Sequence, residues 1–181
     1  MRRMMLGALA LAVLLAGAAP GQSPRETGAG QYLGDEYLDR PRGFSLRPPA
    51  GWWLEHDHPS FLVKFSERNY EAFIIVDEVK TPTPIKLDQE FLDLVLKQNQ
   101  EVKKTMPGFQ VIGNRPVRLN RASAYRTEAV FPAGPNKVLL NIYYVPAKTR
   151  VFMIMTICPE AAARRWDPLF EASTSTFTVF E

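Results

Sequence analysis

The segment Gly43-Phe44-Ser45-Leu46-Arg47-Pro48-Pro49-Ala50-Gly51-Trp52-Trp53-Leu54-Glu55 carries the reading of the fold. Phe44 and Leu46 alternate with Ser45 and Arg47, the period-two pattern of a strand with one buried face. Pro48-Pro49-Ala50-Gly51 supplies turn residues and Trp52 to Glu55 resume an extended pattern, so the segment is expected to form a β-hairpin that opens the folded region. Further along, Phe61 to Phe65 and Ala72 to Val79 read as strands, the second a β-branched run suited to the centre of a sheet. Val111 to Leu119, Ala122 to Phe131, Val138 to Tyr144 and Val151 to Ile157 follow, joined by short links rich in Gly, Pro and Asn. Links that short favour antiparallel neighbours over helical crossovers.

Two helices interrupt the strands. Asp88 is placed to cap the first, with Phe91, Leu92, Val95, Leu96, Val102 and Met106 on one face and Gln98, Gln100, Lys103 and Lys104 on the other. The second opens at Pro159-Glu160 and presents Trp166, Leu169 and Phe170, with Pro168 expected to kink or split it. Runs of strands broken by single helices describe an α+β fold with a mostly antiparallel central sheet. At 46% hydrophobic residues, 11% of the chain being aromatic, the 181 residues can bury one ordinary core. Phe44, one of Trp52 and Trp53, Ile75, Phe91, Val95, Met153 and Phe170 are its expected members.

The N-terminal end has a different character. Arg2-Arg3, an apolar run from Met4 to Leu15 and the small residues Ala16-Gly17-Ala18 form a secretory signal pattern with cleavage expected after Ala18. The pair Arg2-Arg3 partly matches a twin-arginine leader, but Met5 stands where phenylalanine is usual. The expected product is secreted or periplasmic, without a membrane anchor once the leader is gone, because the apolar run is shorter than the roughly 20 residues a spanning helix needs. Residues 19–42 read as a flexible Pro- and Gly-rich tether ending in an arm, Tyr32 to Arg42, either helical or extended, that could dock on the domain at 43–181. Two of the 22 Lys and Arg lie in the leader, which brings the remainder close to balance with 19 Asp and Glu and gives no electrostatic case for nucleic acid. The single cysteine, Cys158, excludes an internal disulfide and reads as a buried strand-end residue.

The residues resemble those of the PsbP-like superfamily. Gly43 to Trp52 is similar to a Gly-Phe-Ser-x-x-x-Pro-x-x-Trp opening, Leu119-Asn120 with Ala122 and Ala124-Tyr125-Arg126 to a turn before an alanine-rich strand, and Trp166-Asp167-Pro168-Leu169-Phe170 with Ser175-Thr176-Phe177 to a closing helix and its exit. Arg121 stands where that family usually has glycine. The resemblance spans Gly43 to Phe177 and implies an α/β/α sandwich. Its members include photosystem II accessory proteins, a Ran-binding import factor and exported bacterial proteins, so it implies no common activity.

Chemistry-bearing residues are few. His56-Asp57-His58 would place two imidazoles on one strand face, whereas a zinc site needs three or four ligands. Pro59-Ser60 makes the segment read as a solvated turn. An enzyme, a hydrolase or metal-dependent catalyst using these three residues, is the alternative to a binding protein. No Gly-x-Ser-x-Gly elbow, P-loop or dinucleotide-binding glycine run is present, and Asp77 and Glu78 are expected on opposite sheet faces, so the reading is non-enzymatic with no cofactor. The adjacent pairs Trp52, Trp53 and Tyr143, Tyr144 are either core residues beneath helices or an exposed binding platform. The favoured function is an exported binding or accessory domain for a protein partner or a small apolar ligand, with a structural cell-envelope role as a third reading.

Overall fold

The computed structural model describes residues 30–180. The leader at 1–18 and the tether at 19–29 lie outside the described residues. The elements run β1 (Gln31–Leu33), β2 (Glu36–Asp39), β3 (Phe44–Leu46), β4 (Trp53–His58), β5 (Phe61–Ser66), β6 (Phe73–Lys80), α1 (Gln89–Thr105), β7 (Gln110–Leu119), β8 (Ala122–Ala133), β9 (Asn136–Ala147), β10 (Arg150–Pro159), a 3-10 turn (Glu160–Ala162), α2 (Ala163–Thr174) and β11 (Thr178–Val179). Seven strands form the central sheet in the order β4-β5-β6-β10-β9-β8-β7, and β1-β2-β3-β11 form a small second sheet. Every pairing is antiparallel.

The long hairpins follow from local turn chemistry. Asn120 takes the left-handed conformation (φ 50°) and closes Leu119 against Ala122, so the hairpin forms with Arg121 in place of glycine. Gly134 (φ 60°) precedes Pro135, whose ring holds φ near −65°, the pairing a two-residue II′ turn requires between Ala133 and Asn136. Lys148 (φ 53°) turns Ala147 back onto Arg150.

Both faces of the central sheet are covered, as an α/β/α sandwich requires. Ile74 and Val76 point to one side with Phe65, Phe152 and Ile154, where they meet Trp166 and Phe170 of α2, Tyr37 and Phe44 of the small sheet, and Phe177 just before β11. Ile75 points to the other with Ile142, Tyr144 and Met155, beneath Phe91 and Val95 of α1. Asp88 caps α1 by accepting a hydrogen bond from the Phe91 amide (3.1 Å), and Lys103 and Lys104 sit in its last turn, where the helix dipole favours cations.

Several expectations are corrected. Phe44–Leu46 and Trp53–Glu55 do not pair with each other: β3 joins β2 and β11, whereas β4 joins β5. Pro48 and Pro49 lack amide donors and fix φ, so the link crosses between sheets instead of closing a ladder. The arm is extended and part of the fold, since Gln31–Asp39 form β1 and β2, and Tyr37 is fully buried. Leu96 on α1 and Leu169 on α2 are each 40% exposed, and Met153 is only half-buried. Pro168 does not split its helix, which runs unbroken through it after the irregular 3-10 start.

Candidate functional site

Three of the four candidate aromatics are packed away. Trp52 is half-buried and stands edge-on to Trp166 (6.0 Å) and Phe170 (6.2 Å). Tyr143 and Tyr144 are both buried, on opposite faces because they are consecutive in β9. Trp53 alone keeps about half its surface in solvent (51%), so the four do not converge on a platform.

The segment His56-Asp57-His58 is also placed differently from expectation. It ends strand β4 and is no loop; the turn is Pro59-Ser60. His58 stacks on Phe61 with ring centroids 4.5 Å apart and 9° between planes. Its Nδ1 accepts a hydrogen bond from the Ser60 amide (3.2 Å), which occupies that lone pair. Among the described residues no group of three His, Cys, Asp or Glu side chains is placed to hold a metal ion.

What the fold does assemble is a groove between α1 and edge strand β7. Helix α1 stops at Pro107-Gly108, and Gly108 adopts φ 86°, where a Cβ would lie 2.8 Å from the Pro132 ring. That turn brings Phe109 under the helix, where it is buried, and starts β7 alongside it. The resulting groove is open to solvent and offers about 450 Å³. Leu96, Phe109 and Val111 give it apolar surface, and Asn99, Asn114 and Lys103 give it polar groups. Asn99 is 7% exposed and its Nδ2 has no hydrogen-bond partner. Such an unmatched buried amide costs stability, and it is where a ligand can restore a bond.

A second polar cluster lies on the α2 side of the sheet. Glu128, Asn141 and Thr156 are neighbours across β8, β9 and β10. Arg126 donates to Asn141 Oδ1 (2.7 Å) and to Glu128 Oε2 (3.0 Å), and Asn141 Nδ2 donates to Thr156 Oγ1 (3.2 Å). The guanidinium also lies over the Tyr143 ring, 5.7 Å from its centroid. These donors are spent inside the cluster, so it pins strand register more than it offers a reactive group.

No protein-family profile and no curated protein matches the sequence. Among solved structures, the solution structure of cyanobacterial PsbP from Synechocystis superposes with a TM-score of 0.62 at 17% identity, covering 90% of this chain and 100% of that one. The domain has the PsbP-like fold. LpqN of Mycobacterium tuberculosis, described as involved in cell envelope biogenesis, shares it with a TM-score of 0.56 at 16% identity over 76% of this chain and 83% of LpqN. The Saccharomyces cerevisiae Ran-binding protein Mog1p does so at 0.55 and 12% identity, over 80% and 94%. Identities this low speak for the fold and leave function to the site.

Two titratable groups in this PsbP-like domain sit in unusual surroundings. Burial, and secondarily the negative charge of Asp167, pushes the Cys158 thiol up to about 12, which disfavours its thiolate, and the side chain is packed in the core. Asp77 is raised above the ordinary carboxylate range, chiefly by burial; the Glu78 amide bonded to its Oδ1 (2.8 Å) opposes this and the Glu78 charge adds to it. As sequence alternation requires, Asp77 and Glu78 occupy opposite faces, with Glu78 3.5 Å from Arg150. A raised folded-state value means the protonated Asp77 suits the fold better. That stability is present at low pH and is lost as pH rises through the raised value. Asp77→Asn should therefore increase Tm at pH 7, by an increment that shrinks as the pH is lowered below the usual carboxylate range. Thermal unfolding of both proteins from pH 3 to 8 checks it; a gain independent of pH would assign the effect to packing.

The groove residues were not candidates in the sequence. Leu96 and Lys103 fall on opposite sides of the simple apolar-and-polar division of α1, and Asn99 is a polar residue in a buried position. The one legible signal was Pro107-Gly108, which marks the point where the helix must give way to a strand beside it.

Proposed function

We propose that this protein is a non-catalytic binding or accessory domain, exported through its leader to the periplasm or beyond, that takes a small apolar ligand in the groove between α1 and β7. The observation that carries the proposal is the groove itself, where Leu96, exposed at 40%, and the buried Phe109 flank the unpartnered Asn99 amide. An exposed leucine beside a concave surface and an unmatched polar group together form the arrangement of a ligand site more than that of a finished core. The packed state of Cys158 and the hydrogen bond at His58 Nδ1 favour binding over catalysis. Mog1p, a Ran-binding protein, and LpqN, involved in cell envelope biogenesis, support the reading by analogy only.

Titrating the mature protein with 1-octanol, a neutral apolar probe, and following its backbone amides by NMR tests the proposal. The amides of Phe109, Gln110 and Val111 and of the α1 turn from Leu96 to Lys103 should shift together and saturate. Shifts centred on Trp53 would move the site to the exposed edge at β4. No saturable shift at the groove with any probe of this kind would end the reading.

A further inference from the structure

The polar side of the groove has one electrostatic sign. Among the described residues Lys103 is the only ionic one lining it, and no carboxylate does. The neighbouring Lys104 is paired with Glu101 at 2.7 Å, which leaves that acid engaged on the outer side of the helix. On the opposite wall, Asn114 Oδ1 accepts a hydrogen bond from the Thr127 hydroxyl (2.8 Å). That bond orients the Asn114 carboxamide by its oxygen and leaves both N–H donors of its NH2 to offer. Asn99, on the helix wall, has an amide nitrogen with no partner. Rotation about its last side-chain bond, a soft torsion, can turn that NH2 toward a bound acceptor. The groove thus combines an apolar wall from Leu96, Phe109 and Val111 with the carboxamides of Asn99, Asn114, Gln100 and Gln110 and one ammonium.

We infer that the ligand of this groove is an amphipathic carboxylate, its hydrocarbon body against Leu96, Phe109 and Val111 and its anionic head among Asn99, Asn114 and Lys103. The inference rests on the binding role proposed above and adds to it the charge and orientation of the ligand. A carboxylate is acceptor-only and can take several donors at once, which matches a set of donors with no competing acid. An amine head would meet the like charge of Lys103 with no carboxylate in the lining to offset it. A neutral alcohol would satisfy only part of the donor set.

Three probes with the same chain separate these possibilities: octanoate, 1-octanol and octylamine, each titrated against the mature protein by NMR at low salt. Octanoate should bind about tenfold more tightly than octanol, as expected for hydrogen bonds to a charged group in place of a neutral one, and octylamine should bind least. Lys103→Gln, an exposed change that leaves the core untouched, should reduce the octanoate affinity about threefold and leave octanol unaffected. Raising the salt concentration should narrow the octanoate advantage in the wild type and much less in Lys103→Gln. Asn99→Leu, which replaces the unmatched amide by an apolar side chain of similar size, should keep the fold and remove most of what separates octanoate from octanol. Equal binding of octanoate and octanol, unchanged by either substitution, would overturn the carboxylate assignment while leaving the apolar site in place. Preference for octylamine would overturn it as well. Failure of all three probes to shift the groove amides would remove both the assignment and the binding role.

Discussion

Tyr37→Ala is expected to cost about 3 to 5 kcal/mol, the range for deleting a large buried aromatic. Tyr37 lies on β2 in the N-terminal arm, yet it has no solvent exposure and its ring stands 5.4 Å from Phe65 and 6.1 Å from Phe44. Phe65 belongs to the central sheet and Phe44 to the small one, so this ring joins the two. The arm is held by further contacts. Asp39 is buried and accepts from the Arg42 amide (3.0 Å) and guanidinium (2.9 Å), while Arg150 of β10 donates to the Arg42 carbonyl. Gly30 approaches the Tyr37 hydroxyl so closely that a Cβ would collide with it. Urea unfolding of the wild type, Tyr37→Ala and Gly30→Ala provides the measurement, and both variants should lose stability. A loss below about 1 kcal/mol for Tyr37→Ala would mean that the arm contributes nothing to the folded unit.

Phe91→Ala should have a similar effect, about 3 to 5 kcal/mol, on the opposite side of the sheet. Phe91 is buried in the first turn of α1, edge-on to Tyr144 at 6.3 Å, and its amide is the one capped by Asp88. Together with Val95 it anchors the helix that forms one wall of the groove. The substitution should therefore also blur the groove, weakening octanoate binding by more than Lys103→Gln does. Stability measured by denaturation and affinity measured by NMR can be read on the same sample. A Phe91→Ala protein as stable as the wild type would show that α1 is not held by the residues its periodicity selects.

Strand and helix placement was legible because it rests on local patterns. The alternation in Phe44-Ser45-Leu46, the β-branched run at Ile74-Ile75-Val76 and the spacing of Phe91 and Val95 each specify an element without reference to any partner, although Ser45 is buried along with its neighbours, so alternation did not mark an exposed face there. Turn chemistry was legible for the same reason, since Asn120, Gly134 and Gly108 adopt left-handed backbone where the sequence has residues that tolerate it. The resemblance at Gly43 to Trp52 also pointed to the correct fold, because its residues serve the packing that relatives share.

The antiparallel neighbours expected from short links do form, β5 with β6, β7 with β8, β8 with β9 and β9 with β10, but the partner of the opening strand and the site were not legible. Nothing in Phe44 to Glu55 says that its two halves enter different sheets, since a strand's partner is chosen by hydrophobic surfaces that meet only in three dimensions. The arm from Tyr32 to Arg42 read as helical or extended and able to dock; that it is extended and docks is decided by strand pairing with β3 and by the Tyr37 ring, which packs against Phe44 and Phe65. The adjacent aromatics Tyr143 and Tyr144 read as a possible platform, and helices and strands distant in sequence bury them both. The groove depends on residues from the end of α1 and the start of β7 facing one another across a turn, with an amide left unmatched between them. By itself the sequence determined where the chain is extended, helical or turned, because those preferences are set within a few residues. Which sheet each strand joins, which aromatics remain in solvent and where donors converge were decided only by tertiary packing, because burial and hydrogen-bond satisfaction are properties of surfaces brought together from distant parts of the chain.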